Sequence, residues 1–204
     1  MSESYLSIPA PSEGRYEEKK SVFLAFAAPI QSEEEAIQFV GGVKKKYPDA
    51  RHHVYAYELR EGNKSRYTDD GEPSGTAGMP VLDGIRKRGL TDVVVVVVRY
   101  FGGTLLGTGG LVRAYTAAAK DALDKAGTVL WQEMTHLLLR VTYQDYQRVS
   151  QLPEGVRETG TVFGDTVELT VSMPSERTDG FEQWVTERTC GRAEIQFLSK
   201  GMNF

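Results

Sequence analysis

Cysteine is nearly absent from this chain, and its scarcity excludes two classes of protein. Cys190 is the one cysteine among 204 residues, so the sequence has neither a disulfide framework nor a cysteine-based metal cluster. Long apolar runs are missing as well: the longest, Val93–Val98, falls far short of the roughly 20 residues that a membrane-spanning helix needs. The opening residues, MSESYLSIPAPSEG, lack the basic stretch and apolar core of a secretory signal. We therefore expect a cytoplasmic protein that does not act at a membrane.

An excess of positive charge is also missing, which argues against attraction to nucleic acid through bulk charge. The formal net charge is −4, with −1 on residues 1–133 and −3 on residues 134–204. Domains dedicated to nucleic acid are usually clearly basic. Two basic clusters do occur, at Lys44–Lys46 and at Arg86–Arg88. Each is explained either by the preference of cations for the C-terminal end of a helix or by a basic patch that contacts phosphate.

The most distinctive stretch runs from Tyr67 to Tyr115 and combines three features. An acidic loop begins at Asp69, six consecutive valines follow at Val93–Val98, and a glycine-dense turn then leads into a helix. The valines are apolar on both alternating faces, so they predict a strand that is covered on both sides. Glycine lets a ligand or another backbone approach closely, and amides at a helix start bind anions. The turn is therefore either an anion site or a tight crossover that needs glycine for packing.

Two long motifs of this stretch point to a known family: DDGEPSGTAGMP at Asp69–Pro80 and VVVVRYFGGTLLGTGGLVRAY at Val95–Tyr115. Together they closely resemble the signature of the YigZ/IMPACT family. The resemblance implies an α+β protein of two domains. Residues 1–133 are expected to resemble the second domain of ribosomal protein S-five and domain IV of elongation factor G, and residues 134–204 are expected to be ferredoxin-like. Eukaryotic members regulate translation by binding the activator of an amino-acid-starvation kinase, so the resemblance implies a link to translation.

The hydrophobic pattern predicts strands and helices throughout the chain. In the first domain, strands are predicted at Gly14–Lys20, Val22–Ala28, His53–Leu59, Val93–Val98 and Thr128–Gln132, helices from Ser32, over Met79–Arg88 and over Thr108–Ala126, and a polar loop over Glu61–Ser74. On the last of these helices the stripe Leu111, Tyr115, Ala118, Ala122 and Ala126 consists mostly of small residues. We therefore expect that helix to pack close against the sheet.

In the second domain the pattern alone predicts the order β-α-β-β-α-β, which is that of a ferredoxin-like fold. The predicted elements are strands Thr135–Tyr143, Val156–Phe163, Thr166–Met173 and Ala193–Leu198, with helices Asp145–Leu152 and Glu176–Thr189.

Three carboxylates stand within four residues in the acidic loop, at Asp69, Asp70 and Glu72. Oxygen ligands suit Mg²⁺ or Ca²⁺, so the loop is a candidate site for a divalent cation, with Mg²⁺ as the possible cofactor; no other cofactor is expected. The alternative is that the carboxylates accept hydrogen bonds from the loop's own amides, or pair with Arg51 and Arg99.

The two adjacent histidines, His52 and His53, are not expected to bind one metal ion. Neighbouring residues of a strand point to opposite faces of its sheet. We expect one imidazole to pack in the core and the other to hydrogen-bond to the acidic loop, where it could also transfer a proton or bind a cation.

The candidate binding residues surround the glycine turn. They are Arg51, Arg99, Tyr100, Gly102, Gly103, Gly107, Thr108, Gly109, Gly110 and Arg113. The turn lacks the Lys-Ser/Thr ending of a P-loop, but Gly109 and Gly110 leave the first amides of the helix uncovered. Phosphate or carboxylate groups are expected to contact the arginines and these amides, with the acidic loop orienting the arginines or holding a cation.

These features favour a non-enzymatic, translation-associated protein that binds RNA, the ribosome or a protein partner. Catalytic residues are not predicted, since Ser74 does not stand in a nucleophile elbow and Cys190 lies in a predicted turn. The alternative is an enzyme acting on a nucleotide or another phosphorylated substrate, with the glycine turn holding phosphate and the acidic loop holding Mg²⁺.

Overall fold

The structure, a computed structural model, describes residues 4–203. They divide into two compact units, one formed by Tyr5–Leu130 and the other containing the chain from Trp131 onward. The first unit contains strands β1 (Tyr5–Ser7), β2 (Ser12–Glu18), β3 (Ser21–Pro29), β4 (His52–Leu59), β5 (Lys64–Thr68) and β6 (Val93–Tyr100), with helices α1 (Glu33–Lys46), α2 (Gly78–Arg86) and α3 (Gly107–Ala126). Strands β2 to β6 form an antiparallel sheet in the order β2-β3-β6-β4-β5.

The valine strand β6 lies at the centre of this sheet and is covered on both faces. Its odd-numbered valines pack with residues of α2 and α3, whereas its even-numbered valines pack with residues of α1. All six valines are fully buried, so the prediction from the sequence is confirmed. The same alternation continues to the end of the strand, where Arg99 lies on the α2/α3 face and Tyr100 on the α1 face.

Helix α3 lies almost directly on the backbone of strand β2. A Cβ atom at Gly14 would stand 2.4 Å from the amide nitrogen of Ala122 and 2.9 Å from the carbonyl oxygen of Ala118. Only glycine on the strand and small residues on the helix allow this separation. The close packing predicted from the alanine stripe is confirmed, since Ala118 and Ala122 are fully buried.

The structure corrects the predicted loop over Glu61–Ser74. Within it, Lys64–Thr68 pairs with β4 as the edge strand β5. Its side chains are polar and mostly exposed, as is common at the edge of a sheet. A strand without a buried face has no apolar alternation, which is why the sequence pattern does not reveal it.

The second unit has the predicted β-α-β-β-α-β order. Its elements are β7 (Val129–Val141), α4 (Tyr143–Val149), β8 (Arg157–Phe163), β9 (Val167–Pro174), α5 (Thr178–Thr189) and β10 (Glu194–Asn203). The strands pair in the order β10-β7-β9-β8. Residues of β7, β9 and α5 share one core, which includes Leu139, Leu169 and Phe181. The α+β class and the ferredoxin-like order of this unit are confirmed.

The boundaries of β7 and α4 differ from the prediction. The two strands predicted over Thr128–Gln132 and Thr135–Tyr143 form a single strand, β7, because neither glycine nor proline interrupts the chain between them. Tyr143 belongs to α4, since the side chain of Thr142 accepts a hydrogen bond from the amide of Asp145 and so caps that helix. Among residues 4–203, no helix is long and apolar enough to cross a membrane.

Two glycine substitutions should change the free energy of unfolding in opposite directions. Gly14→Ala places a methyl group against the backbone of α3, so it should lower the free energy of unfolding by about 1–3 kcal/mol. Gly41→Ala adds its methyl group where nothing lies within 4 Å inside helix α1, so it should raise stability by about 0.5–1 kcal/mol. Urea denaturation measures both, and equal effects of the two variants would contradict the packing described.

Tyr57 should make stability depend on alkaline pH. Burial, together with the 2.6 Å hydrogen bond that its hydroxyl donates to Glu33, raises the pKa of Tyr57 to about 12, against about 10 in an unfolded chain. A raised pKa stabilises the fold below pH 10, and this contribution is lost as the pH rises towards 12. The stability difference between the wild type and Tyr57→Phe should therefore narrow between pH 10 and pH 12. A constant difference in urea denaturation would contradict the assignment.

Candidate functional site

A buried ion pair joins the end of β6 to the acidic loop. Arg99 Nη1 donates to Glu72 Oε1 at 2.6 Å, and the two side chains are 7% and 4% exposed. Strand pairing sets Phe23 and His52 beside Arg99 on the α2/α3 face of the sheet. The Arg99 guanidinium lies 5.5 Å from the centre of the Phe23 ring and 5.7 Å from that of Phe101. Arg99 is therefore enclosed by aromatic rings and by the loop carboxylate.

Two further side chains converge on the Glu72 carboxylate. The Tyr115 hydroxyl of α3 donates to Oε1 at 2.8 Å, and His52 Nε2 lies 3.9 Å from the same oxygen. Burial, and next the negative charge of Glu72, raise the pKa of the Tyr115 phenol, which therefore stays protonated and donates. His52 Nδ1 lies 2.7 Å from the carbonyl oxygen of Asp70. Because a carbonyl only accepts, His52 donates from Nδ1.

The remaining carboxylates of the acidic loop hold the loop itself. Asp69 accepts from the amides of Gly75, Ala77 and Gly78 at 2.8–3.1 Å, and so satisfies donors at the start of α2. Asp70 accepts from the amide of His53 at 2.7 Å. This geometry matches the alternative in which the carboxylates accept hydrogen bonds from backbone amides and pair with Arg99. The expected pairing with Arg51 is not observed, since Arg51 makes no ion pair within residues 4–203. No group of three His, Cys, Asp or Glu side chains within residues 4–203 is arranged to hold a metal ion.

A pocket of about 200 Å³ opens beside the ion pair. It is lined by Arg51, His52, Gly71, Glu72, Arg99, Phe101 and Leu105. The Arg99 Nε is buried and has no hydrogen-bond partner within the described chain. At the mouth, Leu105 is 83% exposed and Phe101 45% exposed. The pocket therefore has a charged floor, and two of its wall residues, Phe101 and Leu105, are apolar.

The glycine turn is fixed against the hairpin between β2 and β3. The Gly102 amide donates to Ser21 Oγ at 3.1 Å, and a Cβ at Gly102 would stand 2.1–2.4 Å from backbone atoms of Lys20 and Ser21. This contact brings the exposed hairpin residues Lys19 and Lys20 next to the turn. Sequence reasoning missed both lysines, because nothing local links them to a glycine about eighty residues later.

The start of α3 offers free backbone donors. The helix begins at Gly107, where φ is +71°, and the preceding Leu106 supplies no side-chain cap. Thr108 and Gly109 are exposed and Gly110 is buried under Leu106. Arg113 is 70% exposed and lies 3.8 Å from Glu18. We call the exposed set Lys19, Lys20, Arg51, Gly103, Thr108, Gly109 and Arg113 the glycine-turn surface.

Two candidates from the sequence lie on the opposite face of the sheet, and a third has a different role from the one expected. Tyr100 lies on the α1 face, and its hydroxyl donates to Asp49 at 3.0 Å. His53 is buried on that face, with Nε2 2.8 Å from the carbonyl oxygen of Tyr47. The expected division of the histidines, one packed and one bonded to the loop, is therefore observed. Arg99 is buried against Glu72, so it shapes the pocket floor and does not meet a phosphate at the surface.

Comparison with known proteins finds a matching family model for each of the two units. Residues 19–123 match the family model described as the Impact N-terminal domain, and residues 139–192 match a domain of unknown function. The chain is 33% identical over 214 residues to the Bacillus subtilis protein named IMPACT family member YvyE, which covers 100% of this chain and 97% of that protein. It is 39% identical over 153 residues to the Escherichia coli protein named IMPACT family member YigZ, covering 74% and 75%. A crystal structure described as that of a hypothetical protein is 32% identical, with a TM-score of 0.63 over 98% of this chain and 99% of the other.

The buried pair should show strong energetic coupling. Glu72→Met and Arg99→Met each leave a charge buried without its partner, so each should cost about 3–5 kcal/mol. The double variant should cost less than the two single costs added together, with a coupling energy of about 1–3 kcal/mol in urea denaturation.

The matched control is the exposed pair of Lys120 and Asp124, whose side chains are 66% and 48% exposed. Replacing these two by alanine should give a coupling below about 1 kcal/mol. If the two pairs coupled equally weakly, Glu72 and Arg99 would not constrain the loop.

Proposed function

The chain belongs to the IMPACT family, and from that premise we propose that it is a non-enzymatic, translation-associated protein that binds single-stranded RNA on the glycine-turn surface. The link to translation is the one that the family signature implies. The observation that carries the proposal is the uncapped start of α3 standing among exposed cations.

Backbone geometry supports binding of phosphate at this surface. The first amides of a helix lack acceptors within the helix, and the dipole of the helix favours an anion there. Helix α3 is 20 residues long, and its cap residue Leu106 gives it no side-chain acceptor. Gly103 and Thr108 are exposed beside these amides, so a phosphate oxygen can approach the backbone.

Four exposed cations supply local positive charge. Lys19 and Lys20 stand at the hairpin beside the glycine turn, Arg51 stands at the pocket, and Arg113 projects from the first turns of α3. Lys19, Lys20 and Arg51 make no ion pair within residues 4–203, whereas Arg113 lies 3.8 Å from Glu18. The surface is thus locally basic although the chain as a whole has a net charge of −4.

The enzyme hypothesis receives less support from the same geometry. A Mg²⁺-dependent enzyme would need loop carboxylates free to bind the ion. Asp69 and Asp70 instead bond to backbone amides, and Glu72 bonds to Arg99 and Tyr115. Stabilisation of the protein against heat by ATP with Mg²⁺, but not by Mg²⁺ alone, would favour the enzyme.

Binding of RNA should weaken with salt in a measurable way. Three phosphate contacts to a single strand give a slope of about −2 in a plot of log affinity against log salt concentration. Fluorescence anisotropy with a labelled RNA hexamer measures this slope between 50 and 200 mM salt. Arg113→Gln should weaken binding and make the slope shallower by about 0.7, because one contact is lost.

Arg157→Gln is the matched control, since Arg157 is an exposed arginine of β8 in the other unit. It should leave both affinity and slope unchanged. Affinity that does not respond to salt would overturn the RNA proposal and favour a protein partner bound through Phe101 and Leu105.

A further inference from the structure

We propose that the pocket between Arg51 and Leu105 receives one unstacked guanine base of the bound RNA, while the neighbouring phosphate binds at the start of α3. This inference rests on the proposed function and specifies which group of the RNA enters the pocket. It follows from three properties of the pocket, namely its walls, the acceptor on its floor and the donors at its rim.

The walls suit a flat ring. Phe101 is 45% exposed, and the Arg99 guanidinium lies 5.7 Å from its ring centre. Leu105, 83% exposed, adds apolar surface across the mouth. Proteins that bind single-stranded RNA stack unpaired bases on aromatic side chains such as that of Phe101. A volume of about 200 Å³ has room for one base and no further part of the chain.

The floor carries an acceptor and repels phosphate. Glu72 Oε1 already accepts from Arg99 and Tyr115, whereas Oε2 makes no hydrogen bond within residues 4–203. A second anion beside this carboxylate would be repelled, so the group that enters must donate hydrogen bonds. The edge of a nucleobase does so through its N–H groups. The phosphate is therefore directed to the amides of α3 and to Arg113.

The rim supplies donors next to that acceptor. Arg51 is exposed and has no ion pair or hydrogen bond within the described residues, and it lines the pocket with Arg99. Arg99 Nε also lacks a partner, which leaves a buried donor unused. Guanine matches this arrangement because O6 accepts from an arginine while the adjacent N1–H and N2–H both donate to the free oxygen of Glu72, Oε2. Adenine and cytosine each have only one donor group on that edge, the exocyclic amino group. Uracil has a single N–H donor, which lies between two carbonyls.

The preference for guanine can be tested with the intact protein. Labelled RNA hexamers that contain adenosine and uridine with one central guanosine are compared with hexamers in which adenosine or inosine replaces it. The guanosine hexamer should bind about tenfold more tightly than the adenosine hexamer, the order of discrimination expected from a good bidentate contact. Inosine keeps O6 and N1–H but lacks the N2 amino group, so it should fall between the two.

The outcomes separate the two proposals. Equal, salt-dependent affinity for all three hexamers would overturn the guanine pocket and leave the proposed function intact. No binding of any hexamer would overturn both. A guanosine preference that vanishes on Phe101→Leu, with the salt slope unchanged, supports the pocket and excludes simple phosphate binding as its cause.

Two variants test the pocket while both charges of the buried pair remain in place. Phe101→Leu removes the stacking face from an exposed position and should lower affinity for the guanosine hexamer by about tenfold. Its matched control is Phe197→Leu, because Phe197 is a comparably exposed phenylalanine, 58% against 45%, in the other unit. The control should keep wild-type affinity. A guanosine preference that survives Phe101→Leu would overturn the pocket.

Discussion

The pair of Glu72 and Arg99 is the interaction on which the arrangement of the whole surface depends. Burying an ion pair is costly unless its remaining hydrogen-bonding groups are satisfied. Here Tyr115 supplies a second donor to the carboxylate, whereas Phe23 and Phe101 enclose the guanidinium and leave Arg99 Nε without a partner in the described chain. The pair therefore ties together a loop, a strand and helix α3. Because α3 is held in this way, its first turn stands in a fixed position beside the pocket.

The acidic motif of the family has a structural explanation that follows from this pair. Asp69 accepts amides at the start of α2, Asp70 fixes the first residues of β4, and Glu72 accepts from Arg99. Three neighbouring carboxylates thus serve three different elements, which is why they do not form one cation site. Gly78 is constrained in the same place, since a Cβ there would stand 2.5 Å from the carbonyl oxygen of Thr68. The spacing of the motif is therefore set by packing as much as by binding.

What the sequence could predict was governed by how local each signal is. Buried strands such as β6 and the order of elements in the second unit follow from apolar periodicity, and both were predictable. The edge strand Lys64–Thr68 has no buried face, so periodicity does not reveal it. Lys20 belongs to the glycine-turn surface because its backbone contacts Gly102, and only the tertiary fold brings these two residues together. Arg99 and Tyr100 are adjacent in the sequence and were predicted to belong to one binding site. Strand alternation places their side chains on opposite faces of the sheet.

The electrostatics of the site argue for a ligand with two chemically different parts. A site for phosphate alone would not need a carboxylate on its floor, because Glu72 reduces the attraction that Arg51 and Arg99 exert on an anion. A purely apolar partner, in turn, would gain nothing from unpaired donors such as Arg99 Nε. A nucleotide satisfies both regions, since its base donates to the carboxylate and its phosphate meets backbone amides. The negative net charge of the chain then favours selectivity, because binding depends on this local geometry and not on general attraction to polyanions.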